Sequence, residues 1–325
     1  MPLFLFTLWT GLSTLYWWNK AITLNHYNYF VIFQFINLLS FIILYKLMIQ
    51  YLTRKNLETI FNLYSIAISV IVAYCIIQFL DLDQFLRPVD PTIFKRDRIV
   101  GMSGNTSHLA GYLSMCLPVL YYHRTKLSAI SIVLVWAIIL YTGSLSGFIG
   151  ALIGTIFFNF FHKIRFKYEG ILYALLGVVL LTIVLHKGWD WVIHYFLNLS
   201  GRVECWKALY PTFKKHSIVG GGLGLVRLLD ILKTPTETWR HAHQEFYHFA
   251  IETGLVGLGI IIYGIIHYFK VFLNSARDRL QVAMATIFLV GLVNAMFNFP
   301  FHLFLPGSLI MLAYGGTFVL KGDNI

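Results

Sequence analysis

The chain has 325 residues, of which 58% are hydrophobic, 17% aromatic and only 12% charged. A soluble domain carries roughly 25% charged residues, so this composition excludes an ordinary soluble globular protein. The formal net charge of +11 then has two possible uses, membrane topology or binding of an anionic ligand, and the positions of the cations decide between them.

Apolar runs of about 20 residues recur along the chain, the length needed to cross ~30 Å of hydrocarbon. They are too long for barrel strands, which alternate over about 10 residues. The pattern predicts an all-α polytopic membrane protein of about ten transmembrane helices, at roughly 2–18, 27–50, 57–80, 106–122, 127–142, 144–161, 170–186, 244–267, 280–297 and 302–320. The run from Pro2 lacks a basic leader and a small-residue cleavage site, so it reads as a first span rather than a signal peptide. Trp17 and Trp18 close it as an interfacial pair. In chain order the segments are 1–105, N-terminal spans and a first external loop; 106–186, core spans; 187–243, one large external loop between spans seven and eight; and 244–325, C-terminal spans.

Basic residues follow the even-numbered spans: Arg54 and Lys55, Arg124 and Lys126, Lys163 to Lys167, Lys270 to Arg279, and Lys321. The positive-inside bias makes that side cytoplasmic and places both termini there. About half of the 25 Lys and Arg residues nonetheless fall on the opposite face, where long loops escape the rule. Either they solvate that face beside its acids or they meet a polyanionic ligand. The three cysteines Cys75, Cys116 and Cys205 are scattered, with neither a disulfide framework nor a zinc spacing.

The loop 187–243 is too long for a simple connector. Within it, 202–215 predicts a short amphipathic helix stopped near Pro211, and Gly220 to Gly224 a flexible turn. Arg202 offers a planar fork of donors suited to phosphate; a salt-bridged surface arginine is the plainer alternative. His243, just ahead of span eight, carries the one side chain that accepts a proton near neutral pH, although interfacial histidines often only reach for water. His241, His243 and His248 suggest a metal, but spacings of two and five residues do not align ligands on one helix face, and no metal or cofactor is expected. Glu252 lies two turns inside an apolar span, where a charge is costly. It therefore needs an interior partner, and His248 and Glu245 share its face. The glycines Gly220 to Gly224 do not form a nucleotide loop, since no Lys-Ser/Thr follows; a backbone anion nest is a weaker option. Gly254, Gly257 and Gly259 suit close helix packing.

These residues carry a resemblance. His243-Gln244, nine residues, then Gly254, continued by Leu255-Val256-Gly257, resembles the signature of the O-antigen ligase and polymerase family of bacterial envelope enzymes. Gly201-Arg202 to Trp206, Pro211 to Gly224, Arg98 to Gly104-Asn105 with Leu109 to Leu113, and Thr142 to Gly147 are similar to further family segments, in the family's order. The family commonly has arginine where this chain has Leu145, so Arg98 and Arg240 become substitutes for that cation.

The resemblance implies a GT-C-like helical fold in the bacterial inner membrane with the active face periplasmic. It implies a metal-independent transferase that joins a glycan from an undecaprenyl-diphosphate carrier to an acceptor hydroxyl, for example of lipid A core. His243 and Arg202 would be catalytic; Arg202, Arg98 and Arg240 would bind the diphosphate; Gln244, Glu252 and Gly254 would support them. Its partners are the lipid-linked donor, a lipid or glycan acceptor and the bilayer, with no nucleic acid. Ligase is the first reading and polymerase the alternative, since both use the same donor. A transporter is a third reading; it would want more ionisable groups and broken helices at mid-membrane.

Overall fold

A computed structural model describes residues 2–21, 27–83, 99–123, 125–162, 202–229 and 241–322. Every regular element among the described residues is a helix. Helices stand at each expected span except 170–186, which lies outside the described residues, as do Arg98 and Arg240. Among the described residues, four stretches are long and apolar enough to cross a membrane: Gln34–Tyr51, Arg54–Phe79, Glu245–Leu273 and Phe304–Lys321. Other apolar helices are shorter, such as Leu145–Phe161, whose 17 residues rise only about 25 Å.

The described helices group into two compact units that do not follow chain order. One comprises Met1–Tyr51, Leu199–Ser275 and Ala295–Ile325, and the other Leu52–Asn198 and Ala276–Asn294.

The second unit packs on small residues. Its helix Arg54–Phe79 starts earlier than hydropathy suggests because Thr53 and Asn56 form a reciprocal capping box, which satisfies the first free backbone donors. Helix Thr106–Tyr122 is capped by Asn105, and helix Leu145–Phe161 by Ser144. These two helices press together: a methyl group on Gly147 would lie 2.5 Å from Ala110 Cβ, and one on Gly154 2.5 Å from Val290 Cγ2 on helix Arg279–Ala295. Small residues that let helices approach this closely are the usual device where lipid supplies no hydrophobic drive. The buried Asn294 amide sits 3.3 Å from the Gly111 carbonyl, 3.1 Å from Ser114 Oγ and 3.0 Å from the Val290 carbonyl.

The first unit is built around helix Glu245–Leu273. Helix Pro2–Ala21 lies along it, with Phe6 edge-on to Phe249 at 5.7 Å. Further along, Tyr268 stacks on Tyr314 of helix Phe304–Gly322 at 5.4 Å and bonds Thr317 at 2.8 Å. Helix Tyr27–Tyr51 joins this cluster through Tyr45, 5.4 Å from Tyr314.

The long helix is broken at Gly254, where φ is 70° and ψ −178°. A break frees backbone groups that must find partners inside a membrane, and two segments supply them. The Gly221 and Gly222 amides donate to the Ile251 and Glu252 carbonyls at 2.9 Å each, while the Leu255 amide donates to the Ser217 carbonyl at 2.8 Å. From helix Pro2–Ala21, Trp9 Nε1 donates to the Thr253 carbonyl at 2.7 Å, and Ser13 Oγ donates to the Val219 carbonyl at 2.8 Å.

Two local expectations change. The Gly220 to Gly224 stretch is not a loose turn but backbone bonded to the broken helix, with positive φ at Gly220, Gly222 and Gly224. The helix expected at 202–215 does run over Arg202–Lys215, but Pro211 lies inside it rather than stopping it.

Candidate functional site

The site assembles around the start of helix Glu245–Leu273. Gln244 is its N-cap, with extended backbone and a side chain that accepts the Tyr247 amide. A cap of this kind satisfies one of the helix's unpaired first-turn donors and fixes the residue before it. That residue is His243, whose φ of 50° puts a non-glycine residue in the left-handed region, an uncommon conformation often met at functional positions. The His243 ring is half-buried and meets Phe299 edge-on, with centroids 5.1 Å apart. His241 stacks on the same Phe299 at 4.1 Å and 14°. Phe299 thus orders both imidazoles of the His-Ala-His segment.

Arg202 begins helix Arg202–Lys215, which is fastened to this same segment. Trp206 Nε1 donates to the Ala242 carbonyl at 2.8 Å, and the Cys205 thiol lies 3.8 Å from the His241 carbonyl. Tyr247 Oη returns a bond to the Trp206 carbonyl at 3.3 Å. Beneath these bonds Cys205, Leu209, Val226, Ala242 and Ile251 form a buried apolar cluster. Arg202 is one turn before Trp206 and shares its helix face. Its guanidinium is half-buried, burial lowers its pKa below the ordinary value, and no carboxylate among the described residues pairs with it. A half-buried guanidinium at a helix N-terminus, lacking an acid, is an anion-binding arrangement.

Glu252 and Gly254 lie one and two turns beyond His248. Glu252 is 1% exposed; its Oε1 accepts from His248 Nε2 at 3.1 Å and from the Val226 amide at 3.2 Å. Gly254 is the helix break itself, and a Cβ there would stand 2.0 Å from the Ile218 carbonyl oxygen. Of its two companions, a Cβ on Gly257 would press on the Thr253 side chain and stand 3.3 Å from Trp9 Cδ1, whereas one on Gly259 would meet open space. Leu145 is the half-buried first residue of its helix in the second unit.

Sequence reasoning passed over two residues that the site contains, His302 and Arg227. His302, on the single turn Pro300–His302, bonds Glu245 Oε1 through Nδ1 at 2.9 Å. Glu245 is itself fully buried. Arg227 stands near enough to His241 to depress its pKa, after burial and the His302 and His248 imidazoles, so that His241 is pushed down to about 2 and stays neutral. The signal for His302 is weak, a histidine ending Phe299-Pro300-Phe301-His302 ahead of an apolar run. The need of buried Glu245 and Glu252 for donors points the same way.

Residues 130–262 match the family model described as O-antigen ligase. That stretch, less than half of the chain, is what is similar to the family. The match takes in Leu145, Arg202, His243, Gln244, Glu252 and Gly254, while His302 and Phe299 lie beyond it. No curated protein matches the chain. With its long apolar helices, the chain is a helical membrane protein, similar over residues 130–262 to the O-antigen ligase family.

Proposed function

We propose that the protein transfers a glycan from an undecaprenyl-diphosphate carrier to an acceptor hydroxyl, as an O-antigen ligase acting on lipid A core or a comparable acceptor. The reaction takes place on the periplasmic face of a bacterial inner membrane, with both chain termini cytoplasmic. The observation that carries the reading is a half-buried Arg202 with no carboxylate partner among the described residues, on a helix bonded to the strained segment that holds His243.

The acceptor oxygen forms a bond to the anomeric carbon of the donor sugar, and the bond from that carbon to the diphosphate oxygen breaks. The electron pair leaves with the lipid diphosphate. Arg202, fixed beforehand, stabilises the charge that gathers there without reorganising, and Arg98 and Arg240 add to the diphosphate site. His243 takes the proton from the acceptor hydroxyl. Gln244 holds His243 at the helix start, and Glu252 and Gly254 hold the broken helix behind it. No step passes through a metal ion.

The test is purified protein with a lipid-diphosphate glycan and two acceptors, a lipid A core and a second lipid-linked glycan. Carrier release that requires the core is the expected result. Release that requires only the second glycan makes the protein a polymerase, and no release with either acceptor ends the reading. Arg202→Ala should lower the rate about 10²–10³-fold and His243→Ala about 10²–10⁴-fold, with membrane insertion unchanged. A normal rate in either variant removes that residue from the mechanism.

A further inference from the structure

Behind His243 lies a group the transfer mechanism does not use. His241, His248 and His302 each bring a ring nitrogen to a common point, all within 4.8 Å of one another. Two carboxylates hold the outer edges of the rings. Glu252 Oε1 accepts a hydrogen bond from His248 Nε2 at 3.1 Å, and Glu245 Oε1 one from His302 Nδ1 at 2.9 Å. Those bonds leave Nδ1 of His248 and Nε2 of His302 as the nitrogens with lone pairs to give. Nδ1 of His248 and Nδ1 of His241 are buried with no hydrogen-bond partner among the described residues.

A buried ring nitrogen left without a partner is costly, and two beside each other ask for a shared one. A carboxylate on the far nitrogen of an imidazole is how metal-ligating histidines are usually oriented. We infer that His241, His248 and His302 form a binding site for a divalent transition cation of the zinc type, with Glu252 and Glu245 orienting two of the three rings.

Three neutral imidazoles suit zinc. Nitrogens at ~2.0–2.1 Å from a tetrahedral ion stand about 3.4 Å apart, so the rings close inward by up to about an ångström on binding. Water completes the shell. The two buried carboxylates offset the charge of the ion beside Arg227. His241 comes from the segment leading to His243, His248 from the helix and His302 from the Pro300 turn. The ion is structural: it ties together the three pieces of chain that hold His243 and Phe299. Local spacing could not reveal it, because the third ligand is His302, not His243.

The experiment is the metal content of the full-length protein, made without a polyhistidine tag and equilibrated at micromolar free zinc, with cobalt(II) as a spectroscopic substitute. The expected result is about one zinc per chain and the visible absorption of tetrahedral cobalt. His302→Ala should lose both, and His267→Ala, about five turns along the same helix, should keep both. Glu245→Gln retains all three imidazoles and so guards against a His302→Ala protein that fails to fold; it should bind zinc about 10–100-fold more weakly. A wild-type protein with no more zinc than His302→Ala overturns the site, as does unchanged affinity in Glu245→Gln. Binding is read without any glycan, so it stands or falls apart from the transfer reaction.

Discussion

Glycine brings backbones together in both units, but by opposite means. In the unit containing Thr106–Tyr122 and Leu145–Phe161, the glycines Gly111, Gly147, Gly150 and Gly154 sit inside unbroken helices and remove only bulk. The buried polar group among them, Asn294, is uncharged and reaches backbone and hydroxyl oxygens. In the unit containing Glu245–Leu273, Gly254 instead takes positive φ and breaks the helix, and Gly220, also at positive φ, lets its own backbone lie against the break. The chain freed there is paired to its neighbours, and Glu245, His248, Glu252 and His302 are buried together close by. Regular packing makes a scaffold. The interrupted helix is where ionisable groups can be brought into apolar surroundings with partners at hand, as broken membrane helices do when they line a site.

Three substitutions to alanine test that contrast, and Gly254→Ala should cost the most. The new Cβ would lie 2.0 Å from a carbonyl oxygen, and the backbone is in a region reserved for glycine. We expect a loss of about 3 kcal/mol or more, read as a lowered midpoint of unfolding in detergent, together with loss of transfer. A variant of unchanged stability would mean that the helix is not held broken in this way. Gly154→Ala meets only a valine methyl, Val290 Cγ2 at 2.5 Å, and a side chain can turn aside. The expected cost is about 1–3 kcal/mol, the range for overpacking a close-fitted core, with the transfer rate per folded molecule unchanged.

How much of this was legible in the sequence depends on the range of the interactions. Apolar runs located the helices because burial in lipid is a property of each segment alone. Their ends were less readable: the polar Arg54-Lys55-Asn56 start belongs to a helix because of the Thr53 capping box, which hydropathy does not register. His243-Gln244 and Gly254 stood out by spacing, and the local role of Gln244 as a cap follows from its place before the helix. The reason for Gly254 did not, since close helix packing and a backbone break favour the same residue. His302 was invisible because its partners Glu245, His248 and His241 are more than fifty residues away and no periodicity links them. Buried Glu252 implied a partner, and local spacing pointed to His248, but the second pair, Glu245 with His302, depends on how distant segments pack.

Gly259→Ala is the smallest of the three effects and the one with reversed sign. Gly259 follows Gly254 by only five residues in the same helix and belongs to the same spaced set, so sequence alone would assign both the same purpose. It is exposed, has no positive φ, and a Cβ added there meets nothing within 4 Å. Where no neighbour needs the space, glycine in a helix interior is worse than alanine by about 0.5–1 kcal/mol because it loses more freedom on folding. Gly259→Ala should therefore raise the unfolding midpoint slightly and leave transfer untouched. If it destabilised the protein as Gly154→Ala does, an unseen partner would have to cover that face, and Gly259 would join the packing glycines. If it stabilises, the glycine spacing of this helix resolves into separate parts: one residue for the break, one for the approach of Trp9 and one without a packing role.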